Sequence, residues 1–336
     1  MSVPVESARS GHVPLVTVIL NSYNQERFLA QAIDSVLAQT FSDFELIVLD
    51  NGSTDGSAAL VRSYDDPRIV PLLRSDNQAI SKRFNEALAC ARGELVSFLY
   101  SDDMYLPHKL ERQVQLFANL PDAVGVVYCP GNGLNELTGA RWTHPTVTVS
   151  GSVLRELFER HHEGTINMIS PMTRRRCFEG EPFHEDLFAE GEAYFYRLAM
   201  KYEFHHDPEP LVVMRDYGGN AGKALRKNHE MTMTCLDRLA SRPDFPAALV
   251  TPMRRFQAML DRDQGWSMVR LEGDMVWARR CLVAAVRGDV RRIADPKVVV
   301  GALMSYAPKR VRAELNRAGS LVRRNPGNTR IVEGYR

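Results

Sequence analysis

Apolar residues over the first 130 positions follow two alternating patterns. Leu15 to Leu20 and Phe44 to Leu49 are continuous apolar runs rich in β-branched residues, and each predicts a strand buried on both faces. Between them Phe28, Leu29, Ala32, Ile33, Val36 and Leu37 recur at helical spacing, predicting a helix that reaches about Gln39. The second strand stops at Asp50-Asn-Gly-Ser-Thr-Asp-Gly56, a cluster of turn formers and caps in which a helix through Leu60 and Val61 begins. Arg68 to Leu73 reads as a third strand, placed towards a sheet edge by Pro71. Ile80, Phe84, Ala87, Leu88 and Ala91 predict the next helix, with Gly93 as its stop. A strand over Glu94–Leu99, a helix over Pro107–Leu120 and a strand over Ala123–Tyr128 complete the series.

Strands alternating with helices at these intervals predict an α/β fold with a mainly parallel central sheet and right-handed crossovers. Ligands of such sheets bind beyond the carboxyl ends of the strands. Asn21–Asn24, Asp50–Asp55 and Tyr100–Asp103 each follow a strand directly and are expected to converge on one rim.

From about Pro130 the periodicity weakens. Gly151–His162 and Leu187–Lys201 read as helical, and Asn167–Arg174 and Phe204–Met214 as extended. Beyond Lys223 the chain reads as helices punctuated by prolines. The expected organisation is a flexible N-terminus (1–13), an α/β domain (14–222) and a helical C-terminal region (223–336). Within the domain, 14–129 holds the regular strand–helix alternation and 130–222 the less regular remainder.

Composition narrows the classes. Five scattered cysteines, none in a C-x-x-C pair, argue against a disulfide framework or a zinc site and suit a reducing cytosol. Residues 1–13 lack an apolar stretch and no run is long enough to span a bilayer, so a cytoplasmic protein, membrane-associated at most, is expected. The net charge of +1 hides an asymmetry: residues 226–336 hold 22 Lys/Arg against 11 Asp/Glu. That basic region suits an anionic lipid surface or a homodimer contact, whereas nucleic-acid binding would need a basic face laced with aromatics.

Asp102-Asp103 ends the Glu94–Leu99 strand. Adjacent carboxylates at a core edge need a partner. A divalent cation carrying a diphosphate is one, and capping of the helix near Pro107 is another. The residues alone leave both open.

The linked series Val16-Thr-Val-Ile-Leu-Asn-Ser-Tyr-Asn24, Ser35–Phe41, Phe44–Asp50, Gly52-Ser-Thr-Asp-Gly56 and Ser101-Asp-Asp103 resembles family-2 glycosyltransferases, inverting enzymes of the GT-A fold that use nucleotide sugars. The likeness is to the spore-coat polysaccharide type and covers roughly residues 14–220; it implies that 14–129 binds the nucleotide sugar and that 130–222 serves acceptor and catalysis. It implies a divalent metal (Mn²⁺ or Mg²⁺) at Asp103 and Asp102. It also implies nucleotide contacts from Asn21, Tyr23, Asn24, Asp50, Asn51 and Asp102, with Lys82 and Arg83 as further candidates. A gapless match puts Gly191 where the family's catalytic carboxylate stands, with Glu190 and Glu192 on either side; Glu192 is favoured as the base ahead of Glu190, with Asp186 in reserve. Arg215-Asp-Tyr-Gly-Gly-Asn220 resembles a lid, with Tyr217 in place of the family's usual His. The activity implied is transfer from a UDP- or dTDP-sugar to a hydroxyl of a glycan, glycolipid or other acceptor in bacterial polysaccharide or glycoconjugate biosynthesis. Alternatives are a nucleotide-sugar-binding scaffold without turnover and a sugar-1-phosphate nucleotidyltransferase; Asn21–Asn24 lacks the Gly-rich basic loop of the latter.

Overall fold

The computed structural model describes residues 11–218, 225–271 and 273–322. The expected flexible start falls largely outside these residues, as do the second glycine of the lid, Gly219, and Asn220. The chain divides into two compact units: residues 1–223 with 237–242, and residues 224–236 with 243–336.

The first unit opens with β1 (Val16–Ser22), α1 (Glu26–Leu37), β2 (Phe44–Asp50), α2 (Ser57–Arg62), β3 (Ile69–Leu73), α3 (Ile80–Cys90) and β4 (Leu95–Tyr100). Then come β5 (Met104–Tyr105), α4 (Lys109–Asn119), β6 (Val124–Tyr128), β7 (Gly131–Asn135), β8 (Arg141–Thr143), α5 (Leu154–Glu159) and β9 (Met172–Arg174). It continues with α6 (Arg176–Glu179), α7 (Tyr194–Leu198), β10 (Glu203–His206) and β11 (Val212–Asp216). Seven strands form one sheet in the order β10-β6-β9-β4-β1-β2-β3. Its pairs are parallel except those of β9, which runs antiparallel to both β4 and β6. Every residue of β1 and β2 is buried, as continuous apolar strands covered on both faces require. Pro71 lies in β3, the edge strand, where its missing N–H costs least.

Three expectations are corrected. Gly93 does not cap α3, which ends at Cys90 with Ala91 extended. A Cβ at Gly93 would stand 2.5 Å from the Thr17 amide nitrogen, so this glycine permits the chain to pass against β1. The helix read over Leu187–Lys201 shrinks to a 3-10 turn (Gly191–Ala193) and α7, because Gly191 takes φ +54° and interrupts it. The extended stretch 204–214 is two strands in two sheets, parted by Pro208 and Pro210. In the second sheet, β5-β11-β7-β8, only β11 has a counterpart in the sequence reading: β5 is two residues long and β7 contains two glycines.

The second unit is helical. It takes in most of α8 (Leu225–Ala240), then α9 (Val250–Arg270), α10 (Met275–Gly288), α11 (Pro296–Tyr306) and α12 (Lys309–Val322). Met268, Val269, Ala278 and Met304 form its core, and His229 Nε2 meets Asp261 Oδ1 at 2.9 Å beneath it. The thiol of Cys281 completes a cluster of three potential ligand atoms within 4.8 Å of one another.

Candidate active site

Strand register brings the three expected loops together. Ser22 pairs with Asp50 and Asn21 with Tyr100, so β1, β2 and β4 end at one level. The turns that follow are stitched to that level: Asn51 N donates to Ser22 O (2.9 Å) and Ser101 N to Asn21 O (3.0 Å). Asn24 adopts φ +51°, which Asn tolerates better than most residues, and its Oδ1 accepts from the Thr54 amide at 2.7 Å. Both oxygens of buried Asp50 accept from Ser53, one from its amide and one from its hydroxyl. Tyr23 stands exposed at the loop tip.

Gly52 (φ +75°) makes the turn possible, since a Cβ there would lie 2.4 Å from the Asp76 carbonyl carbon. A Gly52→Ala variant is expected to lose on the order of 2 kcal/mol from strain and backbone overlap, read as a lowered urea midpoint.

Asn51 is buried and fully committed. Its Nδ2 donates to Asn77 Oδ1 and Gln78 O, and its Oδ1 accepts from Gln78 N and from Arg83 Nε (2.8 Å). Arg83 also donates to Asp76 and Glu86. Both residues therefore hold the 76–78 loop against the strand ends. Lys82 is half-buried beside them and helps lower the Asp76 carboxyl, behind the hydrogen bonds from Gln78 and Arg83. Asn21 Oδ1 and Ser22 Oγ are buried without a hydrogen-bond partner among the described residues.

Asp103 is 9% exposed, and burial followed by the charge of Asp102 pushes its carboxyl well above the ordinary carboxylate range. The amide of Arg215 opposes that shift by donating to Asp103 Oδ1 at 3.0 Å. Pairing of β11 with β5 creates this contact, with Val213 opposite Met104. The Arg215 side chain is buried and donates to Glu136 (2.8 Å) and to Gln31. Tyr217 rests on Phe28 with ring centroids 4.9 Å apart, donates its hydroxyl to Asp102 Oδ2 (3.0 Å) and accepts from Gln25 Nε2 (2.8 Å). Asp102 and Asp103 offer oxygen donors alone, the set that hard divalent cations take, so these residues fit such an ion.

The two glutamates part company. Glu190 is buried, and its Oε1 accepts from Arg197 (3.0 Å) and from the His184 amide. Glu192 is exposed and lines a small concavity together with His161, Thr165, Ile166 and Tyr196. Desolvation raises its carboxyl to about 7, opposed by a hydrogen bond from Thr165. The water that reaches this side chain tempers the shift. Tyr100, at the end of β4, feels Asp103, Asp102 and Glu192 together: after burial, their charges raise its hydroxyl further. Glu192 is thus within electrostatic reach of the strand that carries the Asp pair. Asp186 is exposed and bonded to Arg238 (2.5 and 2.9 Å), which holds its carboxyl at about 2.

Residues 17–179 match the model of glycosyl transferase family 2. Those residues form a family-2 glycosyl transferase domain. A glycosyltransferase from Nostoc sp. is 42% identical over 116 residues, covering 34% of this chain and 35% of its own. The chain spans about a third of the length of the first curated relatives it matches. Two solved structures share the GT-A fold. S. aureus TarS 1–349 in complex with UDP-GlcNAc aligns with a TM-score of 0.62 at 16% identity, over 90% of this chain and 92% of that one. The mannosyltransferase PcManGT from Pyrobaculum calidifontis, in complex with GDP-Man and Mn²⁺, aligns with a TM-score of 0.58 at 18% identity, over 94% and 90%.

Several site features of the family-2 domain escaped sequence reasoning. Gln25 and Gln31 look like ordinary polar positions at the start and on the open face of α1, and no local signal links them to residues nearly two hundred positions away. Ser22 gives only a weak hint, as a hydroxyl closing an otherwise apolar strand. Glu190 and Glu192 look alike in sequence. A Glu190→Ala variant takes one of two carboxylates from buried Arg197, which keeps Glu181 (3.1 Å) and the Pro182 carbonyl, and is expected to cost about 1–2 kcal/mol of stability in urea unfolding, with Glu192→Ala costing less.

Proposed function

We propose that this chain is a metal-dependent, inverting glycosyltransferase acting from a UDP- or dTDP-sugar on a hydroxyl of a glycan, glycolipid or related acceptor. One observation carries the reading: β1, β2 and β4 end at one level, and the loop after β4 carries Asp103, whose Oδ1 accepts from the Arg215 amide.

Asp102 and Asp103 would hold a Mn²⁺ or Mg²⁺ ion, which would supply charge neutralisation for the departing diphosphate. Asn21, Asn24 and Asp50 line the strand ends where the nucleoside belongs, and the unpartnered Asn21 Oδ1 suits an N–H donor from the base. Asn51 and Arg83 act there by holding the 76–78 loop. As the acceptor oxygen bonds to the anomeric carbon, the bond from that carbon to the phosphate oxygen breaks and the diphosphate leaves with the electron pair. Glu192 takes the hydroxyl proton, which a carboxylate with a pKa about 7 is placed to accept near neutral pH. Direct displacement from the opposite face inverts the anomeric centre. Tyr217 and the Arg215 amide hold the two aspartates in place.

Thermal-shift measurements with UDP, dTDP and GDP, with and without Mn²⁺, test the donor site, followed by nucleotide release from the matching sugar. Metal-dependent stabilisation by a pyrimidine diphosphate and release of that nucleotide are expected. Binding without release on any acceptor would favour a scaffold, and no binding would end the proposal.

A further inference from the structure

The helical unit presents an unusual face. On α10, Val276, Arg280, Val283 and Arg287 follow one another at helical spacing, and all four are exposed. On α11, Val299, Leu303 and Tyr306 do the same, with Leu303 70% and Tyr306 77% exposed. The opposite sides of both helices are packed: Ala278, Cys281, Leu282 and Ala285 are buried on α10, and Val298, Gly301 and Met304 on α11. The two outward stripes adjoin. Arg279 donates to Ser305 O at 2.9 Å and lies 4.6 Å from the centre of the Tyr306 ring. The turn joining the helices adds Val290 (71%) and Ile293 (65%).

The charged residues that line this face on α10, Arg279, Arg280 and Arg287, are all basic. Residues 275–317 hold ten Lys/Arg and three Asp/Glu. Ion pairs with Asp289, Asp295 and Asp263 take up Arg291, Arg292 and Lys297, and Asp295 also caps α11, so the charge of the face rests on the arginines of α10. Large apolar side chains set among arginines match neither bulk water nor a neutral partner. They match an interface in which hydrocarbon lies beneath a layer of negative charge.

We propose that this face docks on an anionic phospholipid bilayer. The apolar side chains of α11 and the 290–294 turn enter the headgroup region, while Arg280 and Arg287 lie level with the phosphates, their aliphatic stems on the apolar side. No helix among the described residues is long and apolar enough to cross a membrane, so the attachment is peripheral. A second copy is a poor occupant, because a two-fold contact through this face would bring arginines against arginines. The chain's own end is no better suited: residues 323–336 hold four Arg and one Glu, the same sign as the face.

Co-sedimentation of the full chain with vesicles tests the proposal, using mixed phosphatidylcholine and phosphatidylglycerol against phosphatidylcholine alone. Binding to the mixed vesicles is expected, weakened by salt and much weaker on the neutral ones. Since each basic residue near such a surface contributes roughly fivefold in affinity, Arg280→Glu with Arg287→Glu is expected to lower partitioning about tenfold or more. Leu303→Ser with Ile293→Ser is expected to lower it similarly and to abolish the binding that survives high salt. Melting temperature and lipid-free donor hydrolysis are expected to match the parent in both variants, which separates docking from folding and from the sugar-transfer reading. Parent protein left in the supernatant, or variants that bind like the parent, would overturn the proposal. So would a lipid-free dimer, seen by sedimentation velocity, that the same substitutions dissociate.

Discussion

An Asp103→Asn variant is expected to fold and to lose roughly 10³-fold in kcat/KM, together with any metal-dependent gain in nucleotide affinity. Asparagine keeps an oxygen for the Arg215 amide, so the tie between β11 and the Tyr100–Asp103 turn survives. What disappears is the negative charge. Burial and the neighbouring Asp102 disfavour that charge in the absence of a cation, and a cation bound there compensates both. The measurement is nucleotide affinity by calorimetry with and without Mn²⁺, beside steady-state release of nucleotide. The metal increment is expected to vanish while metal-free affinity stays near the parent's. Parent-like activity in this variant would remove the basis for metal-assisted transfer.

Replacing Glu192 by glutamine is expected to lower kcat by about 10²–10⁴-fold with donor affinity nearly unchanged, the loss ascribed to a general base. The sign of the pH dependence follows from its environment. Desolvation disfavours the ionised carboxylate and lifts its pKa to about 7, and only the ionised form accepts a proton. Activity of the parent should therefore fall with a slope of one as pH drops through a pKa above the ordinary carboxylate value and no higher than about 7, and this acid limb should be missing from the residual activity of Glu192→Gln. A profile that keeps the same limb in the variant would move the base elsewhere. Glu190 is poorly placed to replace it, because its carboxylate already accepts from Arg197 and the His184 amide.

The sheet was legible because its strands are short apolar runs and its helices are amphipathic. β1, β2, β4 and β6 fall within a residue or two of their expected spans, and Pro71 placed β3 at an edge. Parallel strands of matched length then bring the Asn21, Asp50 and Tyr100 ends to one level with little further information. The region after Pro130 was harder, because its elements are short and held by distant partners. A four-residue strand such as β10 has too few positions for a period to show, and β5 exists because β11 pairs with it. Gly191 illustrates the limit: its left-handed backbone ends the helical reading of Leu187–Lys201, and nothing in the local pattern of apolar residues announces it.

By itself the amino-acid order determined the alternation of buried strands and amphipathic helices, the rim on which the loops fall, and the residues available for chemistry there. These follow from solvent exclusion and chain stereochemistry, which act on neighbours a few positions apart. Only the tertiary structure decided which of two similar glutamates is locked against Arg197 and which is left exposed, that Asn51 commits its amide to the 76–78 loop, and that Tyr217 closes on Asp102. Each depends on groups far apart in the chain, whose hydrogen bonds and desolvation exist only once the fold has brought them together.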